Sequence, residues 1–166
     1  MDIIKGQRQD LSDIISIISE CTELMKSQGI FQWDEYYPTI DIVENDIDDG
    51  NCYVMKHNNR SVAYVAINEE EEEGLNRIVS STNEGKSLAI HRLCVHPNFQ
   101  GKGIAKTILK FIEEFCNKNA YDFIRLDAYS ENKNALKLYE NFGYNKVGEV
   151  FFPGVELPFY CYEKYI

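Results

Sequence analysis

The stretch "SLAIHRLCVHPNFQGKGIAKTILKFIEEFCNKN", residues 87–119, constrains the fold more than any other. Its aliphatic run reads as a strand to Val95, Pro97 turns the chain, and Gln100-Gly101-Lys102-Gly103-Ile104-Ala105 opens a helix. After it come strand "YDFIRLDAY", helix "NKNALKLYENFG", strand "YNKVGEV" and a closing strand "PFYCYEKYI". Strand, helix, strand, helix, strand implies crossovers between neighbouring parallel strands, while the last strands suggest antiparallel pairing. The expectation is a mixed α/β sheet.

The upstream half fits that class. "DLSDIISIISECTELM" predicts a helix with Asp10 as N-cap, Asp13 in its first turn and a buried stripe through Ile14, Ile17, Ile18, Cys21 and Met25. Ahead of it, "DIIKGQ" reads as a short strand. "YPTIDIVENDIDDG" predicts a second helix with Pro38 in its first turn, Ile40, Val43 and Ile47 on one face, and Gly50 as its stop. "NCYVMK" and "RSVAYVAIN" form a hairpin across "HNNR", whose asparagines suit a tight turn. The acidic, then polar, run "EEEEEGLNRIVSSTNEGK" predicts a solvated loop without chemistry. No repeat or linker divides the chain, so residues 1–166 are expected to form a single domain.

Strand 87–95 carries an irregularity. Leu88 and Ile90 fall on even positions, Leu93 and Val95 on odd ones, and a single alternation cannot place all four on one face. Either both faces are buried, or a β-bulge near His91 and Arg92 shifts the phase.

Charge and cysteine usage exclude several function classes. A formal charge of −10 argues against nucleic acid and favours a cationic partner. No apolar run approaches the roughly 20 residues of a membrane-spanning helix, and "MDIIKGQRQD" lacks the order of a signal peptide, so a soluble, cytoplasmic protein without a membrane partner is expected. Cys21, Cys52, Cys94, Cys116 and Cys161 are odd in number and never at CxxC spacing, which predicts reduced core thiols rather than disulfides, a metal site or a nucleophile.

The glycine loop matches neither common nucleotide fingerprint. A Walker loop ending at Lys106-Thr107 needs glycines where Gln100 and Ala105 stand, and a dinucleotide fingerprint from Gly101 needs one at Lys106. What remains is a helix start whose free N–H groups bind anions, provided that no side chain blocks the approach; Gly101, Gly103 and small Ala105 leave that space. A glycine turn without a ligand fits the same residues.

"RLCVHPNFQGKGIAKTIL" resembles the pyrophosphate-binding motif of the GNAT superfamily of N-acetyltransferases, Gln/Arg-x-x-Gly-x-Gly/Ala, through Gln100, Gly103 and Ala105. The family's second motif, Asn-x-x-Ala-x-x-x-Tyr-x-x-x-Gly-Phe/Tyr, is matched by Asn132, Ala135, Tyr139, Gly143 and Tyr144. The resemblance implies a mixed sheet of about seven strands flanked by about four helices and splayed between its central strands. It also implies acetyl-CoA as cosubstrate, with the diphosphate on the amides of Gln100, Gly101, Lys102, Gly103, Ile104, Ala105 and Lys106. The pantetheine arm would lie along Leu93, Cys94 and Val95 with Asn132 as a further contact, and the backbone N–H of Val95 or Cys94 would serve the oxyanion.

Tyr139 takes the position of the family's usual proton donor to the coenzyme sulfur, and a phenol of pKa about 10 stays protonated at neutral pH. It also shares a helical face with Ala135, Leu138 and Phe142, as a core tyrosine would. His91 has the right ordinary pKa for a base; Glu69, Glu70 or a water chain are rivals. Trp33, Tyr36, Tyr37, Phe151 and Phe152 are candidates for an aromatic acceptor wall, with Asp34 or Glu35 attracting an ammonium group, and ordinary packing is the competing role. The expected partner is a small-molecule or peptide amine, and a homodimer is compatible with the resemblance. A non-catalytic acyl-CoA-binding module on the same fold is the alternative.

Overall fold

A computed structural model describes residues 1–70 and 85–166. Its strands, β1 (Ile3–Lys5), β2 (Cys52–His57), β3 (Arg60–Asn68), β4 (Ser87–Val95), β5 (Phe123–Tyr129), β6 (Asn145–Val150) and β7 (Phe159–Tyr165), run in the order β1-β2-β3-β4-β5-β7-β6, a mixed seven-stranded sheet among the described residues. Most of the acidic stretch read as a loop, residues 71–84, lies outside the described residues. Two compact units divide the chain, Met1–Ile67 with His91–Leu109, and Asn68–Ile90 with Lys110–Ile166. Strand β4 (Ser87–Val95) and helix α3 (Ile104–Lys118) each run through both.

In the first unit, β1 (Ile3–Lys5) pairs antiparallel with β2 (Cys52–His57), which pairs antiparallel with β3 (Arg60–Asn68). Asn58 and Asn59 take φ of 49° and 62°, the left-handed pair that closes this hairpin. Helices α1 (Leu11–Ser27) and α2 (Ile40–Asp48) bury Ile14, Ile17, Ile18, Cys21, Val43 and Ile47 in one cluster with Trp33, Val54, Tyr64 and Cys94.

Three local expectations are met in part or corrected here. Asp10 is the N-cap residue of α1 as expected, but its carboxylate makes no bond to that helix; it accepts from the Gln7 N–H at 2.9 Å, in a capping box on the preceding 3-10 turn, and pairs with Lys56 Nζ at 2.6 Å. Pro38 precedes α2, whose N-cap is Thr39. Ile40 opens that helix exposed, and the buried face is Val43, Asp46 and Ile47. Gly50 does close α2, since its N–H donates to Ile47 O at 3.1 Å and that of Asn51 to Asp46 O at 2.8 Å.

In the second unit, β4 pairs in parallel with β5 (Phe123–Tyr129) from Ser87↔Phe123 to Ala89↔Arg125. Strand β7 (Phe159–Tyr165) lies antiparallel between β5 and β6 (Asn145–Val150). Helix α4 (Lys133–Asn141) ends in a Schellman closure: Gly143 N–H donates to Glu140 O and Tyr144 N–H to Tyr139 O, both at 3.1 Å, with Gly143 at φ 87°. All five cysteines are buried thiols, and among the described residues no helix is long and apolar enough to cross a membrane.

Two buried polar groups of this unit behave oppositely. Arg125 Nε donates to Glu163 Oε2 at 2.9 Å in a buried ion pair, whereas the buried Tyr144 hydroxyl has no partner among the described residues. Glu163→Ala is expected to cost about 3–5 kcal/mol, because it strands a buried cation. Tyr144→Phe is expected to be neutral or stabilising by about 1 kcal/mol, since it removes an unsatisfied group. Urea unfolding of the two variants measures both.

Candidate active site

The site starts where β4 ends. Residues Pro97–Phe99 form a 3-10 turn held by Asn98 N–H to His96 Nδ1 at 3.2 Å and Phe99 N–H to His96 O at 2.8 Å. Gln100 folds back, its Nε2 donating to Val95 O at 2.9 Å, which fastens the loop to the strand end. Gly101 and Gly103 then take φ of 73° and 80°, a conformation that L side chains rarely adopt. A Cβ added at either would meet nothing within 4 Å, so the space before them is open.

Helix α3 begins at Ile104 and buries Ile104, Ile108, Leu109, Ile112 and Cys116 along one stripe. Among the described residues, the N–H groups of Gly101 to Lys106 find no main-chain acceptor outside regular structure; the first that does is Thr107 N–H, taken by Gly103 O at 3.0 Å. They therefore present a row of donors at the positive end of the helix dipole. Lys102 and Lys106 add exposed positive charge to a chain that is otherwise strongly acidic. Lys102 Nζ donates to Asn98 O at 2.9 Å and lies 4.9 Å from the Phe99 ring centre. This surface fits an anion of the diphosphate kind.

Strand β4 bends just before the loop. Leu88, Ala89 and Ile90 are all buried, so both faces of its first half are covered, and Arg92 then takes a φ of 56°. The first half of the strand is thus buried on both faces, and the backbone leaves extended geometry at Arg92, one of the two residues where the phase slip was expected. A left-handed non-glycine residue costs roughly 1–2 kcal/mol. It is held by a network that sequence reasoning missed: Arg92 forks onto Asp46 through Nη2 at 2.6 and 2.8 Å and Nε at 3.0 Å, and Nη1 donates to Tyr37 Oη at 3.1 Å. Tyr64 Oη lies 3.3 Å from Arg92 Nε and donates to Asp46. The available signal was an arginine inside an aliphatic strand, which must find a carboxylate when buried, and Asp46 on the same face of α2 as Val43 and Ile47.

His91 and Leu93 are half-buried on β4, and Cys94 and Val95 are buried. The Cys94 thiol is pushed well above its usual range by its hydrogen bond with Cys21 and by burial, so it stays protonated and unreactive at neutral pH. Among the described residues, no three metal-binding side chains cluster.

The second motif has structural work of its own. Asn132 caps α4, its Oδ1 accepting from Ala135 N–H at 3.1 Å. Tyr139 is buried, with its ring 5.8 Å from that of Tyr144 and 6.2 Å from that of Tyr162. Of the rival bases, Glu69 accepts from Tyr121 Oη at 2.8 Å and pairs with Lys86 at 3.1 Å; these partners hold its carboxyl below the usual range and make it a weak base. Glu70 is exposed.

Trp33 is buried in the α1–α2 cluster, with half-buried Tyr37 packed against it, and Tyr36 is 77 % exposed. Asp34 Oδ1 accepts from the N–H groups of Tyr36 and Tyr37 at 2.8 and 3.1 Å, which shapes the turn between α1 and α2. In the second unit Phe151 is exposed, while Phe152 meets Phe159 edge-on at 4.9 Å beside Val150 and Cys161.

Comparison with known proteins gives these features a setting. Residues 13–144 match the family model described as the acetyltransferase (GNAT) family. N-acetylaspartate synthetase of Danio rerio is 31 % identical over 107 residues, covering 64 % of this chain and 37 % of that protein, so the chain spans little more than a third of that relative's length. A GNAT-family acetyltransferase structure from Streptococcus agalactiae superposes with a TM-score of 0.80 at 22 % identity, over 99 % of this chain and 95 % of that one. The PaiA N-acetyltransferase of Thermoplasma acidophilum in complex with coenzyme A superposes with a TM-score of 0.75 at 15 % identity, over 99 % and 98 %.

Because the space beside both loop glycines is open, backbone conformation alone sets what a side chain costs there. Gly101→Ala and Gly103→Ala are each expected to lower stability by about 1 kcal/mol. Urea denaturation midpoints measure this, and a change within error would show that the loop does not hold left-handed glycines.

Proposed function

Because this chain belongs to the GNAT family of acetyltransferases, we propose that it moves the acetyl group of acetyl-CoA to a primary amine by direct attack. The observation that carries the reading is the open row of N–H groups from Gly101 to Lys106 at the start of α3. Free donors, unobstructed approach and positive charge coincide at these residues, which supports a coenzyme diphosphate there.

In this reading the amides of Gly101 to Lys106 hold the diphosphate, the Gln100 N–H expected to join them being already taken by Pro97 O at 3.2 Å, and the backbone of Leu93, Cys94 and Val95 orients the pantetheine arm. When bound, acetyl-CoA supplies an acyl carbon on a thiol leaving group, so a C–N bond forms as the C–S bond breaks. The main-chain N–H of Val95 or Cys94 stabilises the carbonyl oxygen as it becomes negative. Tyr139 Oη delivers its proton to the departing sulfur, and His91, alone or through water, takes the proton released by the amine. The buried, protonated Cys94 argues against a covalent acetyl-enzyme. Asn132 is already committed as a helix cap and contributes to coenzyme binding from that fixed position.

The acceptor is a small-molecule or peptide amine, with Trp33, Tyr36 and Phe152 as candidate contacts. The N-acetylaspartate synthetase relative makes amino acids the first compounds to try. Thiol release from acetyl-CoA across amino acids, polyamines and peptides tests the proposal; coenzyme binding with no thiol release from any amine would favour a binding module instead.

Tyr139→Phe is expected to keep CoA affinity within about twofold and lower kcat by roughly 10²- to 10⁴-fold. Unchanged kcat would refute its role as proton donor. Glu69→Gln is expected to leave kcat/KM unchanged at every pH, because that carboxylate is already held by Tyr121 and Lys86. His91→Ala should remove the acidic limb of the kcat/KM profile.

A further inference from the structure

The segment between α1 and α2 carries Trp33, Tyr36 and Tyr37, and Arg92 of β4, a side chain that the proposed chemistry does not use, bonds to it. Arg92 Nη1 reaches the Tyr37 hydroxyl at 3.1 Å, while the rest of the guanidinium is locked on Asp46 of α2. The arginine and aspartate side chains are 9 % and 8 % exposed, so the pair is shielded from competing water and salt. The Tyr64 hydroxyl, pushed up by burial, stays protonated and donates to Asp46, which fixes that carboxylate in turn. Asp34 holds the same turn from its other side through the N–H groups of Tyr36 and Tyr37.

We infer that Arg92 is a positioning residue for the amine side of the reaction, setting the 28–39 segment through Tyr37 while leaving the glycine loop unaffected. Three features support this. The guanidinium is planar and forked, so it fixes direction as well as distance, which a lysine at the same place cannot do. The left-handed backbone at Arg92 re-aims β4 at that residue, so the bend and the anchor of the segment are one feature. Trp33, the single tryptophan of the chain, is buried in the cluster against which Tyr37 packs and therefore reports on the segment directly. The assignment of the segment to the amine side rests on the acetyltransferase reading above; the tethering of the segment by Arg92 does not.

The test uses Tyr37→Phe, Arg92→Lys and the double variant of the full chain. Without any substrate, Trp33 emission should shift to longer wavelength and acrylamide quenching should rise in all three. With the best amine of the thiol-release panel, KM for the amine should rise about tenfold in each single variant, the worth of one hydrogen bond to a charged group. The double variant should be no worse than the poorer single one, the signature of a shared interaction. CoA affinity by calorimetry should stay within about twofold throughout.

Arg92→Lys disturbs the buried network; Tyr37→Phe removes one hydroxyl and keeps the ring, so it decides the case if the lysine variant is poorly folded. Unchanged Trp33 emission and quenching in Tyr37→Phe overturns the tether, whether or not any amine is acetylated. Altered emission with an unchanged amine KM, or with CoA affinity reduced in proportion, overturns the positioning role. If no amine in the panel is acetylated, the acetyltransferase reading falls and takes the assignment to the amine side with it; the Trp33 measurement still decides the tether.

Discussion

A helix cannot satisfy the N–H groups of its own first turn, and what a protein does with them is a choice that its sequence makes. Here α3 is preceded by Gly101 and Gly103, both left-handed, and among the described residues a Cβ at either would meet nothing within 4 Å. A capping serine or aspartate would have closed that surface and stabilised the helix. Leaving it open gives up that stabilisation and leaves several N–H dipoles, backed by Lys102 and Lys106 in a chain of formal charge −10, available to an anion such as the proposed diphosphate.

The neighbouring strand shows the same logic at a charged residue. A left-handed arginine inside β4 is costly by itself, and a buried guanidinium more so. Asp46, Tyr64 and Tyr37 together remove most of that cost by satisfying the fork from several elements at once. Strained backbone persists where the surroundings over-determine it. The backbone turn in β4 at Arg92, the seating of Asp46 on α2 and the Tyr37 end of the Trp33 segment therefore meet at one guanidinium.

Much of this was legible in the residues because the signals were local. Apolar alternation and glycine placement located the strands, the α3 start and the closure of α4 at Gly143, and the shift from even to odd positions along residues 88–95 marked the bend at Arg92. The failures came where a long-range partner competed with a local one. Asp10 holds the expected cap position, yet Lys56, distant in sequence, takes its carboxylate together with the Gln7 N–H. Arg92 drew attention only as part of an irregular strand, because its partner lies 46 residues away and depends on how α2 rolls onto the sheet. The aromatic residues near 33–37 could be seen as a group, but burial separated them: Trp33 joins the core, and Tyr36 faces solvent.

In the proposed function, main-chain donors between Gly101 and Lys106 receive the coenzyme. Amide resonances of a uniformly nitrogen-15-labelled sample, followed by NMR as CoA is added, report on those donors one by one. The Gly101, Gly103, Ile104 and Ala105 amides are expected to move downfield and become protected from exchange. Saturable CoA binding that leaves those four resonances in place would contradict this role.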